Sequence, residues 1–254
     1  MPTDRTTVHS VAKAMELIEV LLTQRTPLSL SKLSAATGYP KSTVHALLSS
    51  MREYGMITQR EDGRYYLGLR MFECGCAVSA EWNAATAARP YLELLANETG
   101  ASSFLSILDG TNVISIDQCP GRASFHVVPE IGFRLPMHAT SQGKLLLSQL
   151  PDSEARRRLD NAGMPAFTPH TILSQEELCK ALGKIRRDGY AVEDGEYKIG
   201  LRSVSAPVFD RISGQNYAIG VVGLFRRIAS EEFEQAISHV VLAAKQLSQA
   251  IGGQ

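Results

Sequence analysis

Cysteine is scarce and unpaired in this sequence. Cys74, Cys76, Cys119 and Cys179 are scattered, and the one close pair is C-x-C, which suits neither a zinc ribbon nor a redox C-x-x-C. A disulfide framework is therefore excluded as the organising feature, and reduced thiols in a cytoplasmic protein are expected. No run of about 18 uncharged apolar residues occurs, and the opening MPTDRTTVHS lacks the basic start and apolar stretch of a secretory leader. No membrane partner is expected. None of the six histidines sits in an H-x-x-x-H or H-E-x-x-H spacing, so no metal or other cofactor is expected. Internal repeats and low-complexity tracts are absent as well.

Net charge is also missing: 26 Lys and Arg balance 26 Asp and Glu. A zero sum argues against a uniformly basic nucleic-acid binder, but the distribution is uneven, +3 over residues 1–70 and −3 over the remaining 184. A chain of 254 residues can bury one large core or two ordinary ones without covalent staples.

What is present begins with Val8, Val11, Met15, Ile18 and Leu22, recurring at spacings of three and four. They predict an amphipathic helix over 8–24 that Pro27 stops. Ser29 offers an N-cap to a short helix carrying Leu30, Leu33 and Ala36 that ends near Gly38. A third helix follows Tyr39-Pro40, with Val44, Leu47, Leu48 and Met51 as its apolar face and Lys41, Ser42, Thr43, His45 and Ser49 elsewhere. Two β-prone runs, Met56–Arg60 and Arg64–Leu67, flank an Asp-Gly turn. Three helices and a wing within about 65 residues predict a winged helix-turn-helix with the third helix entering the major groove. Short polar side chains at the start of such a helix reach bases or phosphates, and Lys41, Arg60 and Arg64 would neutralise phosphate charge. Taken singly, Ser42 or Thr43 reads more readily as an N-cap than as a base contact, and Arg64 equally as a solvated charge.

Residues 71–90 are rich in small residues and read as a helical linker between a DNA-binding domain at 1–70 and a second domain at 91–254. There helices are expected at 91–98, 141–149, 152–160, 174–188 and 230–251, the fourth opened by the capping box Ser174-Gln-Glu-Glu177. Strands are expected at 102–108, 113–118, 124–128, 190–193, 203–209 and 217–224. A central antiparallel sheet flanked by helices buries these elements most economically, giving an α+β chain.

The segments LSLSKLSAATGYPKSTVHALLSSM at 28–51 and YGMITQREDGRYYLGLRMFECG closely resemble the DNA-binding domain of the IclR family of bacterial transcription factors. FRLPMHATSQGKLLLS at 133–148 and DGYAVEDGEYKIGLRSVSAPVFD at 188–210 resemble that family's effector domain, in register over nearly the whole chain. The resemblance implies a GAF-like effector domain, a homodimer or tetramer, and a regulator, more often a repressor than an activator, whose grip on a roughly palindromic operator is controlled by a small organic effector. It places the effector on Leu135, Ser141, Gln142, Glu193, Ser203, Gly220 and Val222. Ser141 opens a predicted helix, where free N–H groups suit a carboxylate or another acceptor; the alternative is that it merely caps that helix. Glu193 beside an anionic ligand would have to be protonated, separated from the charge or bonded to a donor, and it reads equally as a surface charge beside Asp194. Many relatives carry Ser where Gly220 and Val222 stand, which suggests a more apolar effector, aromatic or longer-chain; many carry Arg where Ala46 stands.

Two other readings fit parts of the sequence. Ser141-Gln-Gly-Lys144 fits the S-x-x-K of penicillin-binding proteins, but no S-D-N or K-T-G accompanies it, and Gly143-Lys144 lacks the remainder of a phosphate loop. The chain is not expected to be an enzyme. A sensor with a vestigial DNA head would have lost its groove-facing polar residues, yet Lys41, Ser42, Thr43, Arg60 and Arg64 remain.

Overall fold

A computed structural model describes residues 8–80, 83–122 and 130–252, and the chain divides into two units, 1–81 and 82–254. The strand expected at 124–128 falls outside the described residues. In the first unit α1 (His9–Gln24), α2 (Leu30–Thr37) and α3 (Lys41–Glu53) precede an antiparallel pair, β1 (Ile57–Gln59) and β2 (Tyr65–Leu67), and α4 (Leu69–Ala80). Ser29 caps α2 by accepting from the Lys32 N–H, and Gly38 ends it at a left-handed φ of 73°. The α3 N-cap is Pro40, so neither Ser42 nor Thr43 is spent on capping.

The core of this unit joins Leu17, Ile18 and Leu21 to Leu33, Val44, Leu48, Met51, Ile57 and Tyr65. That corrects the expected stripe on α1, where Val8, Val11, Met15 and Leu22 are exposed and only Ile18 of the five is buried. The helix carries two overlapping apolar stripes, and the core takes the one through Ala14, Leu17, Ile18 and Leu21. At the root of the wing, a Cβ on Gly68 would lie 2.0 Å from the Gly55 carbonyl oxygen. Only glycine lets the two turns pass so closely.

The second unit holds α5 (Asn83–Thr99), β3 (Ser102–Asp109), β4 (Asn112–Cys119), β5 (Arg134–Pro136), α6 (Ser141–Ser148), α7 (Asp152–Ala162), α8 (Gln175–Asp188), β6 (Ala191–Asp194), β7 (Arg202–Phe209), β8 (Asn216–Gly223) and α9 (Glu231–Gly252). The strands form one antiparallel sheet in the order β5-β4-β3-β8-β7-β6. Strand β5 was not anticipated; it is an edge strand of three residues, a place that tolerates its Pro136. Helix α5 starts eight residues before the expected Tyr91 and runs through Pro90. Burial of Ala84, Ala88, Leu92 and Leu95 in the main core outweighs the hydrogen bond that the proline removes.

Alternation along the strands gives the sheet two unlike faces. Leu105, Val204, Ala206, Ile219 and Val221 point to α5 and α9 and meet Leu92, Phe233, Val240 and Leu247. The opposite face lies beneath α6, which crosses β7, β8 and β6 and reaches β3 and β4. Helix α6 is buried along its length, and α7 and α8 pack behind it. Its close approach needs Gly143, where a Cβ would sit 2.3 Å from the Met137 carbonyl oxygen. Gly183 in α8 has no such neighbour, its nearest atom being an Arg187 nitrogen at 4.0 Å. Gly183→Ala is expected to stabilise the protein by about 0.5–1 kcal/mol, and Gly143→Ala to destabilise it by about 1–3 kcal/mol. Urea unfolding followed by circular dichroism checks both, and equal shifts would contradict the packing of α6.

Candidate DNA-contact surface and effector site

On α3 the buried side chains Val44, Leu48 and Met51 define one face, and at 100° per residue the opposite face centres on Ser42, Ala46 and Ser49. Ser42, His45, Ala46 and Lys41 are exposed, and Thr43 and Ser49 are half-buried at the margins. Ala46 leaves the middle of this face without a donor. Arg52 ties the helix to the wing through a 2.7 Å hydrogen bond to Gln59 Oε1, which fixes the angle at which helix and wing meet a duplex. In the wing both arginines are exposed but differently engaged. Arg60 lies over the Tyr66 ring at 5.3 Å, whereas Arg64 pairs with Asp62 at 3.5 Å.

In the second unit the sheet register places Glu193, Ser203, Val222 and Ser102 in one row across β6, β7, β8 and β3. The next row holds Ala191, Ser205, Gly220 and Phe104. Both rows face α6. The α6 N-cap is Thr140, whose hydroxyl accepts from the Gly143 N–H at 3.2 Å. Ser141 is therefore not the cap. Its hydroxyl shares a 2.7 Å hydrogen bond with Ser205 Oγ and lies 3.2 Å from Gln142 Oε1, all three side chains being buried. A Cβ on Gly220 would fall 2.7 Å from the tip of the Phe104 ring and 2.8 Å from Ser205 Oγ. The space left by the absent side chain is thus filled by an aromatic floor. Val222 packs with Phe104 and Leu201, and Leu135 packs into the cluster beneath α6, with Met137 and Leu145.

Glu193 is buried and its oxygens are engaged within the protein. Oε1 accepts from the N–H groups of Glu196 (2.8 Å) and Tyr197 (3.2 Å), and Oε2 accepts from Ser203 Oγ (3.0 Å). Burial pushes its carboxyl up to about 7; the Tyr197 N–H, the Ser203 hydroxyl and Lys144 pull the other way, and Glu196 adds to the rise. Lys144 forms a buried ion pair with Glu196, whose carbonyl oxygen accepts from Thr171 Oγ1 at 2.7 Å. Burial lowers the pKa of His138, which packs beside Phe167 with Nε2 3.0 Å from the Pro165 oxygen, as a core histidine does. Glu196 and Phe104 were not singled out from the sequence, and Lys144 was considered only as part of a catalytic or phosphate-binding motif. Ser205 carried a usable signal, since it alternates with Ser203 along one strand.

Among the described residues no cluster of three or more His, Cys, Asp or Glu could hold a metal ion, and no helix is long and apolar enough to cross a membrane.

Residues 10–61 match the IclR helix-turn-helix domain and residues 76–249 match the C-terminal domain of bacterial IclR transcriptional regulators. The chain is 32% identical over 246 residues to the HTH-type transcriptional regulator XynR of Escherichia coli, covering 96% of this chain and 98% of that protein. It is 30% identical over 249 residues to the transcriptional repressor IclR of the same organism, covering 97% and 91%. The fold is shared with the crystal structure of an IclR homologue from Microbacterium hydrocarbonoxydans complexed with 4-hydroxybenzoate, with a TM-score of 0.80, 21% identity and coverage of 95% and 99%. Two family models in chain order, together spanning most of the sequence, and full-length relatives at 30% identity or more place this chain in the IclR family of bacterial transcriptional regulators.

Proposed function

We propose that this protein is a cytoplasmic, homodimeric repressor that grips a roughly palindromic operator with α3 and the wing and is switched by a small organic acid, aromatic carboxylates included. The observation that carries the DNA reading is the polar outer face of α3, opposite its buried one and tied to a wing that carries Arg60 and Arg64. Lys41, Ser42, Thr43, His45 and Ser49 serve the groove, and Arg60 and Arg64 the backbone. Dimerisation is supported by apolar side chains with no place in the core of the first unit: Met15 is 53% and Phe72 68% exposed, and Val11, Leu69 and Val78 are exposed as well. A tetramer would need a further surface.

The effector reading rests on the face beneath α6. Ser141, Gln142, Ser203 and Val222 supply contacts, while Leu135 and Gly220 shape the floor and walls. Glu193, with both oxygens occupied, acts as a positioning residue that fixes Ser203 and the turn at 196–197. The organic-acid class is supported by the relative crystallised with 4-hydroxybenzoate and by the start of α6, where N–H groups and Ser141 suit a carboxylate. Catalysis by an S-x-x-K pair is disfavoured by the pairing of Lys144 with Glu196 and of Ser141 with Ser205. To act as a switch, the effector must bind one arrangement of the two DNA heads better than the other.

Fluorescence anisotropy against the promoter DNA flanking the gene, with competitor DNA, tests the reading; binding no stronger than to competitor, with or without candidate acids, would refute it. Arg60→Ala should lower the slope of log affinity against log salt by about 1.8, about 0.9 for each of the two wings of the dimer. Arg64→Ala should lower it less, because Asp62 already holds that guanidinium; an unchanged slope in both variants removes the wing from the backbone. Ser141→Leu should abolish the effector response while operator affinity stays within about twofold of wild type; a normal response removes Ser141 from the site.

Glu193 gives a pH signature. Its folded-state value of about 7 exceeds the ordinary 4.5, so between these values the folded state holds a proton that the unfolded chain releases. Stability from this group is therefore full below about pH 4.5 and lost as pH rises to 7, on the order of 3 kcal/mol in all. Glu193→Gln should flatten that part of the stability profile measured by urea unfolding, and a profile identical to wild type would contradict the burial argument.

A further inference from the structure

Resting on the effector reading above, a second set of polar groups lies on the same sheet face, two and three strands from Ser205. Ser106 and Ser115 are 0% and 1% exposed, stand directly opposite each other on β3 and β4, and have hydroxyls with no hydrogen-bond partner among the described residues. Ser106 follows Phe104 by two residues on a strand whose pairing with β8 is regular, so it shares the face of Phe104, Gly220 and Ser205. Gln118, opposite Phe104, adds a buried Oε1 that is likewise without a partner among the described residues. Buried polar atoms are almost always satisfied in folded proteins, so three orphans on one face of one hairpin are open to a bound hydrogen-bonding group.

Their chemistry specifies the far end of such a ligand. The two hydroxyls can donate or accept and Gln118 Oε1 accepts in the orientation the structure records, so a group that both accepts and donates, as an alcohol or phenol does, fits all three. Counting strand spacings of about 4.8 Å and a rise of about 3.4 Å per residue, Ser205 and Ser106 lie about 12 Å apart along the sheet. One aromatic ring with polar groups in para positions, hydrogen-bonded at each end, has this span. The Phe104 ring, lying over Gly220, forms the apolar surface between the two ends.

We propose that Ser106, Ser115 and Gln118 form a hydroxyl-recognition subsite, and that the effector is a para-hydroxylated aromatic acid with its carboxylate at Ser141 and its hydroxyl at the Ser106–Ser115 pair. The subsite confers specificity because a site built around hydrogen bonds to a hydroxyl rejects the analogue that lacks it.

The test is isothermal titration calorimetry of the full-length protein with 4-hydroxybenzoate and benzoate, on wild type and on the double variant Ser106→Ala, Ser115→Ala. Wild type should bind 4-hydroxybenzoate about tenfold more tightly than benzoate. The double variant should bind the two acids equally, with benzoate affinity unchanged. Its melting temperature should not fall, since the substitutions remove only unsatisfied hydroxyls. Retention of the tenfold preference by the variant would overturn the subsite, as would a lower melting temperature with ligand affinities unaltered, which would mark the hydroxyls as structural. Equal binding of both acids by wild type would also overturn it while leaving the effector site beneath α6 in place. Failure of wild type to bind either acid would overturn the ligand class, and the anisotropy assay with other organic acids then decides separately whether the effector reading survives.

Discussion

The site beneath α6 is governed by one constraint: two carboxylates, Glu193 and Glu196, are buried near a single buried cation, Lys144. Two negative charges in a low-dielectric interior with one positive charge leave one negative charge in excess, which the fold accommodates by raising the proton affinity of one member. Glu196 takes the ammonium, and Glu193 takes two backbone N–H groups and a hydroxyl. Those bonds link α6, through Lys144, to the 196–197 turn and thence to β6 and Ser203 on β7. Ser141, three residues before Lys144 and so one helical turn away, is held against Ser205 by the same docking of α6. Breaking the ion pair would free the helix whose start the effector is proposed to touch, which makes α6 the natural element for a ligand to move.

Much of this architecture was legible in the sequence because local rules and the final fold agree. Caps at Ser29 and Ser174, left-handed glycines at Gly38 and Gly189, and apolar spacing in α2, α3 and α8 all specify what the structure holds. The misreadings share another cause, tertiary packing choosing between locally equivalent options. The stripe Val8, Val11, Met15 and Leu22 is as regular as the one that is buried, and nothing local identifies which of the two meets α2 and α3. Pro90 reads as a boundary locally, yet a line of buried alanines holds the helix through it.

The proposed effector site divides along the same line. Its residues near α6 were found by resemblance, and the physical reading left open whether Ser141 was a cap; the answer depended on Thr140, which precedes it and takes that role. Ser106 and Ser115 were missed although a signal existed. Asp109-Gly110-Thr111-Asn112 is a turn flanked by β-prone runs, Asp109 pairs with Asn112, and counting back from that pair sets Ser106 against Ser115. Beyond that point the count fails, because a register shift between Leu105 and Ser106 brings Gln118 rather than Asp117 opposite Phe104. No sequence pattern marks that bulge, so the third orphan atom was beyond reach.

The absence of hydroxyls at Gly220 and Val222 first suggested a simply more apolar site. The geometry argues for a displacement of polarity. Strand β8 contributes no hydroxyl at these two positions, the Phe104 ring occupies the room above Gly220, and the unsatisfied polar atoms appear on the next two strands, β3 and β4. A site with polar groups on adjacent strands clasps a compact ligand. With one pole at Ser141 and Ser205 and the other beyond an aromatic floor, it demands a rigid ligand long enough to reach both, since a flexible one would lose rotational freedom on binding. The side chain missing from β8 thus leaves room for the Phe104 ring, which lies between the two sets of polar groups.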